Sequence, residues 1–196
     1  MALEILAIPS GPLPTNAYLV CEGGEAWAVD PAPGSAQPLL EAARERNARI
    51  TRIINTHGHW DHVTDNAALR KATGAPIAIH AQDAPMLGRS EFSRAFIPSH
   101  PDDFLESGQV LNLGRYVFRV LHTPGHTAGS ICLLERGVLL SGDTLFRGAH
   151  GRTDLPGGSD EEMRASLRKL ATLPRETIVY PGHGEQTTIG EEFSGR

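Results

Sequence analysis

The chain has 196 residues, a formal net charge of −5, 40% hydrophobic and 21% charged residues, a balance that excludes a disordered, collagen-like or coiled-coil protein. No apolar run approaches the roughly 18 residues of a membrane span, the opening residues lack the basic start of a secretory signal, and the absence of a basic stretch argues against nucleic acid as a partner. One cytoplasmic domain over residues 1–196 is therefore expected. In chain order, residues 3–8, 16–21 and 25–30 read as strands separated by turns. A helix is predicted over 35–47, with Ser35 as its N-cap and Leu39, Leu40 and Ala43 on one face. A buried-type strand at 50–55 precedes a helix at 61–73 that Gly74 stops. Residues 76–80 form another strand, and 81–103, with Pro85, Pro98 and Pro101, are the best candidate for a mobile loop. Strands follow at 109–113, 116–122, 130–135 and 138–141. The last helix is announced by Ser159 and Glu162 as a capping box, with Met163, Leu167 and Leu170 on one face and Pro174 beyond its end. Residues 177–180 are the last strand. This order suits helices outside two sheets better than one doubly wound sheet. Cys21 and Cys132 read as buried free thiols.

Nine histidines stand out against that background. The densest feature is Thr56-His57-Gly58-His59-Trp60-Asp61-His62. At this chain's own His and Asp frequencies, roughly 0.001 occurrences of His-x-His-x-Asp-His are expected by chance. Clustered imidazoles cannot all be protonated cheaply, whereas a divalent cation gives each neutral nitrogen a partner. Three further segments place one ligand-type residue on the turn after an apolar strand: His126 in Thr123-Pro124-Gly125-His126, Asp143 in Ser141-Gly142-Asp143, and His183 in Pro181-Gly182-His183-Gly184. Ligands at several strand ends converge at one edge of a sheet. Five imidazoles and two carboxylates without thiolate suit zinc, iron or manganese.

The set His57, His59, Asp61, His62, His126, Asp143 and His183 resembles the ligand pattern of the metallo-β-lactamase superfamily, from Thr15-Asn16-Ala17-Tyr18-Leu19-Val20 through Pro181-Gly182-His183-Gly184. The resemblance implies a four-layer αββα sandwich, with two mixed sheets face to face and helices outside. It further implies a binuclear centre, with His57, His59 and His126 on one metal, Asp61, His62 and His183 on the other, and Asp143 bridging. Segments 123–130 and Gly142-Asp143-Thr144-Leu145-Phe146 are most similar to glyoxalase II, the hydroxyacylglutathione hydrolases, and their short bacterial relatives. Gly151-Arg152-Thr153-Asp154 also resembles the persulfide dioxygenases. The chain stops thirteen residues after His183, so no C-terminal helical glutathione-binding domain is expected.

On that reading the protein is a metal-dependent hydrolase. A hydroxide shared by two divalent ions attacks the thioester of a small molecule such as a glutathione conjugate. Asp61 is the candidate proton relay as well as a ligand. Arg147, Arg152 and His150 are candidates to meet the substrate, the arginines by clamping a carboxylate; the alternative is that they are solvated loop residues. Asp30 either orients a ligand imidazole or is a turn residue before Pro31. Tyr18, Trp60 and Phe146 fit a pocket wall and core packing equally. His80, His100 and His122 read as structural or exposed. Two other activities stay open: a mononuclear non-haem iron persulfide dioxygenase on His57, His126 and Asp143, and a metallo-hydrolase of another ester or lactone.

Overall fold

Strict alternation along apolar strands is what builds this molecule, because a strand sends successive side chains to opposite faces. The computed structural model describes residues 2–88 and 97–194. Its first sheet runs β1 (Glu4–Ser10), β2 (Thr15–Glu22), β3 (Glu25–Val29), β4 (Arg49–Ile54), β5 (Ile77–His80) and β6 (Asp103–Leu105), in that order. The second runs β12 (Thr187–Thr188), β11 (Ile178–Pro181), β10 (Val138–Gly142), β9 (Ile131–Glu135), β8 (Tyr116–His122) and β7 (Val110–Leu113). Both are mixed: β3 to β6 are parallel in the first, and β10 pairs parallel with β11 in the second.

β2 is buried almost throughout because both of its faces are covered. Its Tyr18 and Val20 join Trp27, Val29, Ile54, Phe118, Val120, Ile131 and Leu140 between the sheets. Its Ala17, Leu19 and Cys21 face outward, against Leu39 and Ala43 of α1 (Ala36–Glu45) and Leu69 of α3 (Asn66–Thr73). On the far side, Cys132, Leu139 and Val179 pack on Leu170 of α4 (Asp160–Leu170) and Ile189 of α5 (Ile189–Glu192). Helix, sheet, sheet, helix is the layering expected from the sequence. The Phe118 ring, fully buried, stands 5.2 Å from that of Trp27 on the opposite sheet. Phe118→Ala is expected to lower unfolding free energy by about 3–5 kcal/mol, read as a fall in denaturant midpoint at constant slope.

Two helix expectations are corrected. Ser35 does not cap α1 with its side chain; Asp65 Oδ2 accepts from Ala36 N at 2.8 Å instead. The same residue breaks the helix predicted over 61–73 into α2 (Trp60–Val63) and α3. With its carboxylate committed to α1 and its N–H donating to Pro31 O at 3.0 Å, Asp65 cannot continue the α2 ladder. In the segment expected to be irregular, a 3₁₀ turn (Ala84–Gly88) and β6 form; residues 89–96 of it lie outside the described residues. Ser159 does cap α4, accepting from Glu162 N at 3.3 Å.

Candidate metal centre

The C-terminal ends of β4, β8, β10 and β11 open on the same edge of the sandwich, and each delivers part of one cluster. β4 leads to His57 and His59, and α2 begins directly after them, with Asp61 and His62 in its only turn. Turns after β8 and β11 bring His126 and His183. β10 has a register irregularity between Leu140 and Gly142, and such a bulge re-aims the following residue, Asp143.

All seven residues predicted as ligands meet there. The ligand-type atoms of His57, His59 and His126 lie within 4.8 Å of one another, and so do those of Asp61, His62 and His183. Asp143 stands between the two triads: Oδ1 is 3.3 Å from His62 Nε2, and Oδ2 is 3.4 Å from His126 Nε2 and 3.6 Å from His183 Nε2. Asp61 Oδ2 is 3.3 Å from His183 Nε2 and 3.5 Å from His62 Nε2.

The imidazoles are oriented from behind. His126 Nδ1 donates to Arg152 O at 2.7 Å, His183 Nδ1 to Leu13 O at 2.9 Å, and His62 Nδ1 to Asp30 Oδ2 at 3.0 Å. In each case the Nε2 lone pair is left facing the cluster, as a metal ligand requires. His59 turns its Nδ1 inward, 2.8 Å from His126 Nε2. Asp30 also accepts from Thr56 N at 2.7 Å and Thr56 Oγ1 at 2.6 Å. Its backbone takes φ 51°, a left-handed conformation that Asp tolerates better than most residues. Of its two readings, the one in which it orients a ligand imidazole has this geometry behind it.

The cluster is electrostatically unfinished as a set of side chains. Burial first, then neighbouring imidazoles, hold His57 well below the ordinary histidine range, and burial pushes His59 down to about 4. Burial opposes charge on His62 too, but Asp143 and Asp30 outweigh it and raise that imidazole. Burial would raise Asp61, yet His183, His62 and Thr15 together hold its carboxyl below the usual range. Fully buried His57 Nε2 has no hydrogen-bond partner. Asp143 Oδ1 makes no hydrogen bond either, although His62 Nε2 stands 3.3 Å away. Imidazoles that burial holds neutral, His57 and His59, converge with two ionised carboxylates and a buried nitrogen without a partner, a donor set that fits divalent cations.

Above the cluster is a cavity of about 350 Å³ lined by His59, Asp61, His126, Asp143 and His183 of the cluster, together with Leu13, Trp60, Phe146, Gly151, Arg152 and Leu155. Trp60 and Phe146 are thus wall residues. Tyr18 is core: only 3% exposed, it donates its hydroxyl to Pro181 O at 2.7 Å. Arg152 reaches the wall, with its guanidinium held by two 2.7 Å bonds to Asp154. Arg147 pairs with Glu185 at 2.5 Å, and exposed His150 bonds Gly151 O through Nδ1 at 2.9 Å; neither lines the cavity. His80 and His122 stack on each other at 4.3 Å, away from the cluster.

Sequence reasoning missed Thr15, whose hydroxyl donates to Asp61 Oδ2 at 3.0 Å, and Asn16, whose amide donates to Pro181 O and Gly184 O, both at 2.9 Å. Their place at the start of a strand with a polar Thr-Asn pair before an apolar run was the available signal.

Comparison with known proteins agrees with this geometry. The family model of the metallo-beta-lactamase superfamily matches residues 10–183. A hydroxyacylglutathione hydrolase, GloC of Haemophilus influenzae, is 33% identical over 201 residues, covering 97% of this chain and 95% of that protein. The crystal structure of the BLEG-1 B3 metallo-beta-lactamase superposes with TM-score 0.90 at 35% identity, covering 96% of each chain. TTHA1623, solved in a di-iron-bound form, superposes with TM-score 0.84 at 36% identity, covering 96% of this chain and 97% of that one.

Proposed function

The chain belongs to the metallo-beta-lactamase superfamily, and on that premise we propose that it is a dinuclear metal-dependent hydrolase of thioesters, of the hydroxyacylglutathione type. The observation that carries the reading is the pair of triads sharing Asp143, with the lone pair of buried His57 Nε2 left without a partner. His57, His59 and His126 would hold one ion, Asp61, His62 and His183 the other, and Asp143 both. Two bound divalent ions supply a water acidified toward neutral pH and a Lewis acid for the substrate carbonyl.

The protein's own contribution is orientation and exclusion of water. The carbonyls of Leu13 and Arg152 and the carboxylate of Asp30 fix three imidazole tautomers. The Thr15 hydroxyl fixes Asp61 on the cavity wall, where its carboxylate would relay a proton in addition to holding an ion. Leu13, Trp60, Phe146 and Leu155 offer an apolar wall to the acyl portion. A thiolate, with a reference pKa near 8.5, departs without a strong general acid. This matches a wall whose two carboxyl groups, Asp61 and Asp143, are both held below their usual range.

Metal analysis after reconstitution, paired with a thioester panel, tests the reading: two equivalents per chain and thioester turnover are expected. Binding that never exceeds one equivalent, with oxygen consumption on a persulfide, would assign the site to an iron oxygenase instead. Within a glutathione thioester, the glycine and glutamate carboxylates need cationic partners, and among the described residues Arg152 is the arginine on the cavity wall. Arg152→Ala is expected to raise KM for a glutathione thioester about tenfold, the loss of one charge-assisted contact, with kcat nearly unchanged. A small thioester lacking those carboxylates should be indifferent. Arg147→Ala, which removes a partner of Glu185, should have the smaller effect; equal losses on both substrates would mean that the arginines hold the loop rather than the ligand.

A further inference from the structure

Asp83 is a buried carboxylate, 1% exposed, three residues beyond the end of the β5 strand, and none of the chemistry above uses it. It accepts three hydrogen bonds. Oδ2 takes Gly58 N at 2.9 Å and Thr127 Oγ1 at 2.7 Å, and Oδ1 takes Gly129 N at 2.8 Å. Gly58 is the residue between His57 and His59, and Thr127 follows His126. One side chain therefore ties together the two loops that carry the first triad, across separations of 25, 44 and 46 residues. Ser130 Oγ, 2.6 Å from Thr127 Oγ1 and accepting from Thr127 N at 3.1 Å, extends the network through the His126 turn.

The approach is close enough that both contacted positions must be glycine. A Cβ at Gly129 would lie 2.5 Å from Asp83 Oδ1 and 2.8 Å from Asp83 N. At Gly58 it would lie 2.7 Å from Met86 Cβ and 2.9 Å from Asp83 O. Among the described residues no basic side chain forms an ion pair with Asp83, so its burial is offset by these donors alone. An Asn of the same shape has one acceptor oxygen and would turn an amide N–H toward a donor. The site thus calls for acceptors on both oxygens. Asp30, the other buried carboxylate beneath the cluster, touches His62 directly. Asp83 bonds no imidazole and acts only through backbone and Thr127.

We infer that Asp83 is a positioning residue for the first metal triad: it locks the His57–His59 loop against the His126 loop, so that the three imidazoles are preset for one ion. The inference rests on the dinuclear reading above. Its prediction is selectivity, because the second triad hangs from α2 and the turn after β11, and the Asp83 carboxylate bonds Gly58, Thr127 and Gly129, none of which lies in either.

The test measures binding of cobalt(II) alone to metal-free protein in two single-site backgrounds. His183→Ala leaves the first triad intact, and His59→Ala leaves the second. Adding Asp83→Asn should weaken cobalt about ten- to a hundredfold in the His183→Ala background, the range of lost outer-shell support, and less than threefold in the His59→Ala background. Thr127→Val removes one of the three donors and should weaken the first site by a smaller factor, again selectively. It decides the matter alone if Asp83→Asn does not fold. Equal loss in both backgrounds, or no loss in the first, overturns the assignment and makes Asp83 a general structural residue. Failure of both backgrounds to bind cobalt before Asp83 is touched would instead overturn the dinuclear reading.

Discussion

Asp143→Asn is expected to lower kcat by about two to three orders of magnitude, the scale of losing a group that organises charge in the transition state, while KM changes by less than about threefold. Asp143 is the only carboxylate among the described residues within 3.6 Å of nitrogens from both triads: His62 and His183 on one side, His126 on the other. Burial works against its ionisation, but the charges of His62, His126 and His183 outweigh burial and hold its carboxyl below the usual range. The amide keeps the shape, removes the charge, and replaces one acceptor oxygen with an N–H donor. Distal substrate contacts along Trp60, Phe146 and Arg152 are untouched, so affinity should survive. Steady-state kinetics with a single thioester decide it; near-normal kcat would remove Asp143 from its bridging role.

The second large effect comes from metal removal. Exhaustive chelation should abolish hydrolysis, and zinc, iron or manganese returned at two equivalents per chain should restore it. Each ion present at a hundredfold its Kd stabilises the fold by about 2.7 kcal/mol. Two such sites should raise Tm by about 10–20 °C in a chain of this size. The physical source is visible in the side chains themselves: among the described residues buried His57 Nε2 has no hydrogen-bond partner, and His59 Nδ1 faces His126 Nε2 at 2.8 Å. His57, His62 and His126 are buried from solvent in the fold, and a cation gives their converging nitrogens a common partner. A Tm indifferent to added metal would sink the assignment of the triads as ion sites.

Much of this was legible before any coordinates. The short apolar runs of β2 and β3, bounded by turns, predict strands, and the strand-then-turn pattern before His57, His126, Asp143 and His183 predicts their convergence, because strand ends on one edge of a sheet are neighbours in space. Ser159 marks the start of α4 correctly, since its cap on Glu162 N is a contact three residues apart, although the reciprocal half of the predicted capping box does not form: Ser159 N donates to Gly125 O instead. Local signals failed where a residue served a distant one. Asp65 looks like an ordinary helix residue until its carboxylate is seen capping α1, 29 positions away. Arg147 and Arg152 look equivalent in sequence, yet Glu185 holds one and Asp154 the other, and only Arg152 lines the cavity.

The sequence by itself singled out the seven residues that meet in the cluster and the order of strands and helices, because these depend on residue identity and short spacings; the family and its four-layer fold were legible through the resemblance those motifs carry. Tertiary structure alone decided which nitrogen of each imidazole faces the cluster. Those tautomers are set by the carbonyls of Leu13 and Arg152 and the carboxylate of Asp30. A backbone carbonyl is the same in every residue and leaves no trace in a sequence. Asp83 is invisible for a related reason: its three donors come from Gly58, Thr127 and Gly129. Two of those are bare backbone N–H groups, brought to one carboxylate only when the sheets have packed face to face.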